Sequence, residues 1–322
     1  MDNRPFGWCF IGTGRLAEQV AAEITRSGRH RIVSVYTRRM ERCREFAAKY
    51  GALACPAIQE ALSAPGVDGV YVVTPHNNHY DSTKAALEAG KAVLCEKPIT
   101  TDAGQARELF RLAREKNVYL SEAMWTWFAP TANRVKQWVD EGCFGEIRQV
   151  TANYHVNIRG RAGRITDPGC AGGALLDIGI YPITYLYRLF GKPMRVVCRG
   201  VLEDGIDLCE DVELTFPGGA RYTASVSLRD NRGLEWLRVK GSGASVSIPW
   251  FHAANGAALR RGWRTLDRVK GNGGYLNEFD LVAGEIREGL GESRFVPAQA
   301  TLDVMEILDE CRRQMGLVYP FE

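Results

Sequence analysis

Three sets of residues in this chain have types and spacings that could do chemistry. The first is Gly12-Thr13-Gly14-Arg15-Leu16-Ala17, a GxGxxA turn directly after the apolar run Trp8 to Ile11 and opening a segment whose apolar positions include Leu16, Val20 and Ile24. Its first glycine permits a tight turn, its second admits a pyrophosphate close to the backbone, and the alanine lets helix and strand pack. In this strand-turn-helix setting the turn predicts a dinucleotide site on Gly12, Thr13, Gly14, Arg15 and Leu16, against the plainer reading of a structural glycine turn. The second set is Tyr36-Thr37-Arg38-Arg39, where an NAD site would carry an Asp or Glu for the ribose 2′-hydroxyl. Two guanidiniums and a hydroxyl suit a 2′-phosphate, so Thr37, Arg38 and Arg39 predict NADP; a solvated helix start is the alternative.

The third set is spread along the chain. Thr74-Pro75-His76-Asn77-Asn78-His79 and Cys95-Glu96-Lys97-Pro98 follow the fourth and fifth strand candidates. Carboxyl ends of strands face the ligand crevice in an open α/β sheet, so Thr74, Pro75, His76, Asn77, His79, Glu96 and Lys97 should border the nicotinamide. Asp177 and Tyr181 are four apart and share a face on a helical turn. Tyrosine is a weak acid at neutral pH, and an ammonium beside its phenol brings it nearer to working range. His76 and His79 lack a third ligand at a recognisable spacing, so no metal is predicted. Each residue also has an ordinary reading: a loop lysine, a helix cap, a half-buried aromatic.

These residues require particular elements. Strand candidates Trp8 to Ile11, Arg31 to Tyr36, Gly69 to Val73, Ala92 to Cys95 and Val118 to Leu120 alternate with helical periods, which predicts a doubly wound parallel sheet. The helix after Pro98 begins at Thr100-Thr101-Asp102, whose side-chain oxygens can cap it. From residue 146 longer strand runs (Ile147 to Tyr154, Arg195 to Val201, Val212 to Phe216, Arg221 to Leu228, Leu234 to Lys240, Ala244 to Ile248) follow one another through Gly- and Pro-rich turns, which predicts a mostly antiparallel sheet. Helical periods recur at Ala174 to Phe190, Leu276 to Glu288 and Ala300 to Met315. The fold class expected is α/β followed by α+β, with residues 1–121 as a dinucleotide-binding domain and 122–322 as a substrate-binding and oligomerisation domain.

In combination, the GxGxxA turn, the Thr-Pro-His segment, Glu96-Lys97-Pro98 and Ala171-Gly172-Gly173-Ala174-Leu175-Leu176-Asp177-Ile178-Gly179-Ile180-Tyr181-Pro182 resemble the Gfo/Idh/MocA oxidoreductases. That resemblance implies an N-terminal Rossmann domain joined to a large, open, mostly antiparallel sheet. Tyr181 stands where many members have histidine; with Glu122-Ala123-Met124-Trp125-Thr126 this is similar to the branch of dihydrodiol and NADP-dependent D-xylose dehydrogenases. It implies that Lys97 is catalytic; together with the helical pairing of Asp177 and Tyr181 this predicts that all three act on one reacting oxygen, with Lys97 polarising it, Tyr181 exchanging its proton and Asp177 orienting or charging the pair. Trp125, Tyr154 and Phe279 become candidate substrate contacts, Phe279 within Gly274-Tyr275-Leu276-Asn277-Glu278-Phe279. Trp127 departs from the arginine common there.

The whole chain bounds these readings. Its 322 residues are 45% hydrophobic and 25% charged with a net charge of +3, and no dense basic run suggests nucleic acid. No apolar stretch is long enough for a membrane span, and the polar start Met1-Asp2-Asn3-Arg4-Pro5 suggests a cytoplasmic protein. Nine scattered cysteines without CxxC spacing read as reduced thiols. The expectation is an NADP-dependent oxidoreductase moving hydride between the nicotinamide and a secondary alcohol or anomeric carbon of a cyclic sugar, polyol or trans-dihydrodiol. Its rivals are a keto-sugar reductase of the anhydrofructose type and a non-catalytic NADP(H)-binding sensor. The partner expected besides the small-molecule substrate is a second copy, forming a homodimer through the C-terminal sheet.

Overall fold

The computed structural model describes residues 4–158, 160, 163–232, 234–271 and 274–322, so the first three residues of the polar start lie outside the described residues. The chain forms two compact units, Met1–Trp125 with Gly274–Thr301, and Thr126–Gly273 with Leu302–Glu322.

In the first unit β1 (Phe6–Ile11), α1 (Arg15–Arg26), β2 (His30–Tyr36), α2 (Met40–Tyr50), β3 (Leu53–Cys55), α3 (Ile58–Ser63), β4 (Gly69–Val72), α4 (His79–Glu88), β5 (Ala92–Glu96), α5 (Ala103–Lys116) and β6 (Leu120–Ala123) alternate. All six strands are parallel, in the order β3-β2-β1-β4-β5-β6. β1 and β4 are buried along their whole length, the mark of strands covered on both faces. Strand order reverses between β1 and β4, the point at which such sheets receive ligands. Asp102 caps α5 by accepting the Gln105 amide at 2.9 Å, as the polar cluster predicted. That helix ends at a left-handed Asn117, which delays β6 beyond the expected Val118 start. β3 has too few residues to show a period.

The second unit holds α6 (Pro130–Asp140), β7 (Ile147–His155), a π-helical turn (Leu175–Gly179) leading into α7 (Ile180–Phe190), β8 (Arg195–Glu203), β9 (Ile206–Thr215), β10 (Arg221–Ser227), β11 (Glu235–Gly241), β12 (Ser245–Pro249), β13 (Gly256–Arg261) and β14 (Arg264–Lys270). Its eight strands run β14-β13-β12-β11-β7-β10-β9-β8, antiparallel except for the β7–β10 pair. Tyr222, Ala224 and Val226 on β10 and Leu237 and Val239 on β11 are buried and alternate with exposed Arg221, Thr223, Arg238 and Lys240. The β13–β14 hairpin escaped the sequence reading because β14 is rich in exposed charges and shows no apolar alternation.

Gly274–Thr301, read from sequence as part of the second domain, packs within the first unit. It contains α8 (Tyr275–Arg287), while α9 (Ala298–Met315) begins there and continues into the second unit. Glu23 of α1 accepts the Leu276 amide at 2.9 Å, and Asp280 is paired with Arg29 at 2.7 Å and His30 at 3.0 Å. Phe279 is 0% exposed, with its ring 4.9 Å from Trp8 and 5.0 Å from Tyr71. This corrects the expectation of a substrate contact: a ring with no free surface is a core residue, buried for its apolar area.

Candidate active site

The glycine turn sits between β1 and α1 at the reversal of strand order. Gly12 has φ +114°, and a Cβ there would lie 2.5 Å from the Val73 carbonyl oxygen, so no other residue fits. A Cβ on Gly14 would meet nothing within 4 Å, and Gly14 caps α1 without any side chain. The amides of the first turn, from Arg15 and Leu16 onward, therefore start the helix with no side-chain acceptor, beside the exposed Gly14 and half-buried Thr13. Ala17 is fully buried. Past β2, Thr37 is half-buried, whereas Arg38 and Arg39 are exposed and have no ion-pair partner among the described residues. Three cations, Arg15, Arg38 and Arg39, thus stand exposed on segments following neighbouring strands.

At the end of β4, Thr74 has a buried hydroxyl with no hydrogen-bond partner among the described residues. Such an orphan next to the glycine turn fits a polar group arriving with a ligand. Pro75 leads into a short turn at His76–Asn78, in which His76 is buried and Asn77 half-buried. His79 is 1% exposed, with Nδ1 2.7 Å from the Pro98 carbonyl and Nε2 2.9 Å from the Thr74 carbonyl. It ties the loop after β4 to the loop after β5. The His76 ring lies 5.7 Å from it in edge contact.

Lys97 follows β5, is 8% exposed, and precedes a cis Lys97–Pro98 peptide. Its surroundings are acidic. Glu96 accepts the Tyr71 hydroxyl at 2.6 Å and the Lys97 amide at 3.3 Å. Glu122, on β6, accepts the Ile99 amide at 3.0 Å and the Thr301 hydroxyl at 3.1 Å. Burial, reinforced by repulsion from Glu96 and opposed by its hydrogen bonds and Lys97, pushes the Glu122 carboxyl up to about 7. Glu278 of α8 is fully buried with both oxygens unpartnered among the described residues, and burial with repulsion from Glu96 and Glu122 holds it protonated well above the usual carboxylate range. Trp125 is 7% exposed and packs its ring 5.1 Å from Tyr275, which leaves little of it to face a ligand.

In the second unit the glycine pair has a definite purpose. Gly173 has φ +119°, and a Cβ there would strike the Asp207 carboxylate, whose other oxygen accepts the Leu175 amide. Asp207 of β9 therefore anchors the start of the π turn, and Tyr319 donates to the Gly172 carbonyl at 3.2 Å. Asp177 lies inside that π turn, a wider coil frequent at functional sites. It accepts from Arg164 at 2.7 Å. Tyr181, in the first turn of α7, has its ring 6.0 Å from Tyr154 and 5.4 Å from His252. The structure thus brings Tyr181 and the expected substrate residue Tyr154 together, and adds a histidine. Trp127 stacks with Tyr187 at 6.3 Å, and the Arg188 guanidinium, 5.0 Å above it, donates to the Trp127 carbonyl. A guanidinium from α7 therefore occupies the neighbourhood of the residue that departs from the expected arginine.

These folds and motifs can be set beside known proteins. Residues 6–124 match the Gfo/Idh/MocA oxidoreductase family's NAD-binding Rossmann fold, and residues 132–247 match its C-terminal domain. Trans-1,2-dihydrobenzene-1,2-diol dehydrogenase from Mus musculus is 31% identical over 97% of this chain and 98% of its own. The chain belongs to the Gfo/Idh/MocA oxidoreductase family. D-xylose 1-dehydrogenase (NADP(+)) from Hypocrea jecorina is 29% identical, covering 97% of this chain and 93% of its own. Among solved structures, a 3-ketoreductase from Actinomadura kijaniata in complex with NADP and TDP-benzene has a TM-score of 0.87 at 23% identity over 97% of this chain and 98% of that one. An aldose-aldose oxidoreductase from Caulobacter crescentus has a TM-score of 0.86 at 20% identity, with the same coverage.

Within this family member, sequence reasoning missed Asp207, Glu235 and His252, which lie on β9, at the start of β11 and after β12, outside every motif. Only the strained glycine pair pointed to Asp207. Glu122 has a measurable signature. The folded protein keeps its proton between the ordinary 4.5 and about 7, so stability falls as pH rises across that window, by about 3 kcal/mol on a value of about 1.4 kcal/mol per pH unit. Thermal unfolding of Glu122→Gln from pH 4.5 to 7.5 should lose this part of the pH slope; an unchanged slope contradicts the buried, protonated carboxyl.

Proposed function

We propose that this chain is an NADP-dependent oxidoreductase that interconverts a secondary alcohol, or the anomeric carbon, of a cyclic sugar, polyol or trans-dihydrodiol with its carbonyl. The observation that carries it is the glycine cradle, closed against a side chain at Gly12 and open at Gly14, with Arg38 and Arg39 in place of a carboxylate just past the next strand. Relatives that use NADP, or act on dihydrodiols and D-xylose, support the same reading.

The residues that would hold the cofactor are Gly12 to Leu16 for the pyrophosphate, Thr37, Arg38 and Arg39 for the 2′-phosphate, and Thr74, Pro75, His76, Asn77, His79, Glu96 and Lys97 around the nicotinamide. Bound NADP supplies the hydride acceptor or donor. Lys97 then polarises the reacting oxygen with its ammonium, from a nearly buried position at the end of β5. Tyr181 exchanges the hydroxyl proton, and Asp177 tunes that exchange through Arg164. We assign residues 1–121, completed by α8, to the cofactor and the second unit to the substrate. The strands β14 and β8 at the edges of the second unit's sheet, open to pairing or cover, support a homodimer through that sheet. Nine cysteines, none of them in a disulfide among the described residues, support a reducing compartment such as the cytoplasm, which cell fractionation checks directly.

Lys97→Met and Tyr181→Phe should each lower kcat by orders of magnitude while NADPH still binds, by kinetics and fluorescence titration; near-normal turnover in either removes that residue from the mechanism. Arg38→Ala should cut the preference for NADPH over NADH about tenfold or more, as expected for a lost charge-assisted hydrogen bond. Static light scattering should give the dimer mass; a monomer at micromolar concentration rules out the sheet-mediated pair.

A further inference from the structure

Beside Tyr181 the second unit contains a histidine and a glutamate that the reaction as described does not use. Glu235 opens β11 on the face that bears Leu237 and Val239, and its residue partner across the ladder is Tyr154 on β7. The end of β12 returns the chain over this position: Trp250 donates to the Glu235 carbonyl at 2.9 Å, and the turn that follows carries His252. The Glu235 carboxylate, only 5% exposed, accepts both the His252 backbone amide at 2.9 Å and its Nδ1–H at 2.6 Å.

The double acceptance has a chemical consequence. A carboxylate that receives Nδ1–H fixes both the ring plane and the tautomer, which leaves the Nε2 lone pair as an acceptor aimed away from Glu235. Nε2 lies 3.5 Å from the Tyr154 hydroxyl, a contact at the outer limit of a hydrogen bond. The rings of Tyr154 and His252 stack at 5.0 Å and that of Tyr181 is 5.4 Å from His252, so three polar-tipped rings share one wall. The histidine side chain keeps 23% of its surface exposed, enough to meet a ligand.

The backbone adds an independent sign. Leu234 and Trp250, immediately before Glu235 and two residues before His252, adopt left-handed conformations at φ +49° and +45°. Both are bulky non-glycine residues for which that region is costly, and both side chains are mainly exposed, at 63% and 68%, so burying them is not what holds them there. Strain of this kind on both sides of one side-chain pair is characteristic of a positioned functional group.

We propose that His252, oriented by Glu235, is a specificity-determining residue that accepts a hydrogen bond from the substrate hydroxyl adjacent to the one that Tyr181 serves. The inference rests on the oxidoreductase reading and names the residue that recognises the second hydroxyl of the vicinal diol that its cyclic sugars, polyols and trans-dihydrodiols share. A site built to pair with a second hydroxyl discriminates strongly against an analogue that lacks it, because its buried polar groups are then left unpaired.

The test compares trans-1,2-cyclohexanediol with cyclohexanol, using NADP as cofactor. Wild-type protein should prefer the diol in kcat/KM. His252→Phe, which keeps a ring but no acceptor, should lose about tenfold or more of that preference, chiefly through KM, with cyclohexanol turnover little changed; His252→Asn should restore part of it. A diol-to-alcohol ratio unchanged in His252→Phe overturns the proposal, and so does an equal loss on both alcohols, which marks a merely structural role. If wild-type protein turns over neither alcohol, NADPH formation with cyclic sugars, polyols and trans-dihydrodiols tests the oxidoreductase reading separately, and its absence with all of them overturns that reading. Calorimetric binding of the diol to wild-type and His252→Phe proteins then decides the hydrogen bond by itself: weaker binding in the variant sustains it, and equal or absent binding in both overturns it.

Discussion

Three buried carboxyl groups, Glu96, Glu122 and Glu278, crowd together beside the nearly buried Lys97, and the loop after β5 is organised around that crowding. Lys97 is 8% exposed, with Glu96 adjacent in sequence and Glu122 arriving from β6. Carboxylates packed this closely repel one another, so not all of them can ionise. Glu122 is pushed up to about 7, and Glu278, with no hydrogen-bond partner among the described residues, remains protonated. Backbone amides and hydroxyls carry the rest: Ile99 and Thr301 donate to Glu122, and Tyr71 donates to Glu96. A parallel sheet suits this arrangement because neighbouring strands end on the same side and deliver their polar residues together.

The second unit solves a related problem with different parts. Its π turn begins where a carboxylate from β9 takes the Leu175 amide, and it needs glycine at 173 because a side chain would collide with that carboxylate. The wider π coil then sets Asp177 against Arg164 and sends Tyr181 into the first turn of α7. Across the sheet, register places Tyr154 opposite Glu235, and the turn after β12 adds His252. Both units therefore hold their polar groups by hydrogen bonds from elements distant in sequence, on surfaces whose apolar alternation fixes which face is covered.

Local signals explain how much was legible. The glycine turn, the Asp102 cap, the Arg38-Arg39 pair and the Glu96-Lys97-Pro98 run are contiguous, and steric or electrostatic rules act within a few residues, so their place at strand ends could be read directly. Strongly apolar strands such as β1 and β4 were equally visible. β3 was too short and β14 too polar to show a period. Phe279 looked like a ligand contact beside a glycine and an aromatic, yet its ring lies inside the core formed with Trp8 and Tyr71.

What the amino-acid order determined by itself was the two kinds of sheet, the dinucleotide turn and the types of residue available for proton and hydride chemistry, because periodicity, turn preference and charge are properties of short segments. Tertiary structure alone decided that α8 belongs with the first sheet, that Glu122 keeps its proton near neutrality, and that Glu235 and His252 stand beside Tyr181. Each of these depends on which distant segments exclude water from one another. A sequence pattern records apolar faces but not the partners that cover them, and burial and charge proximity arise only from that pairing.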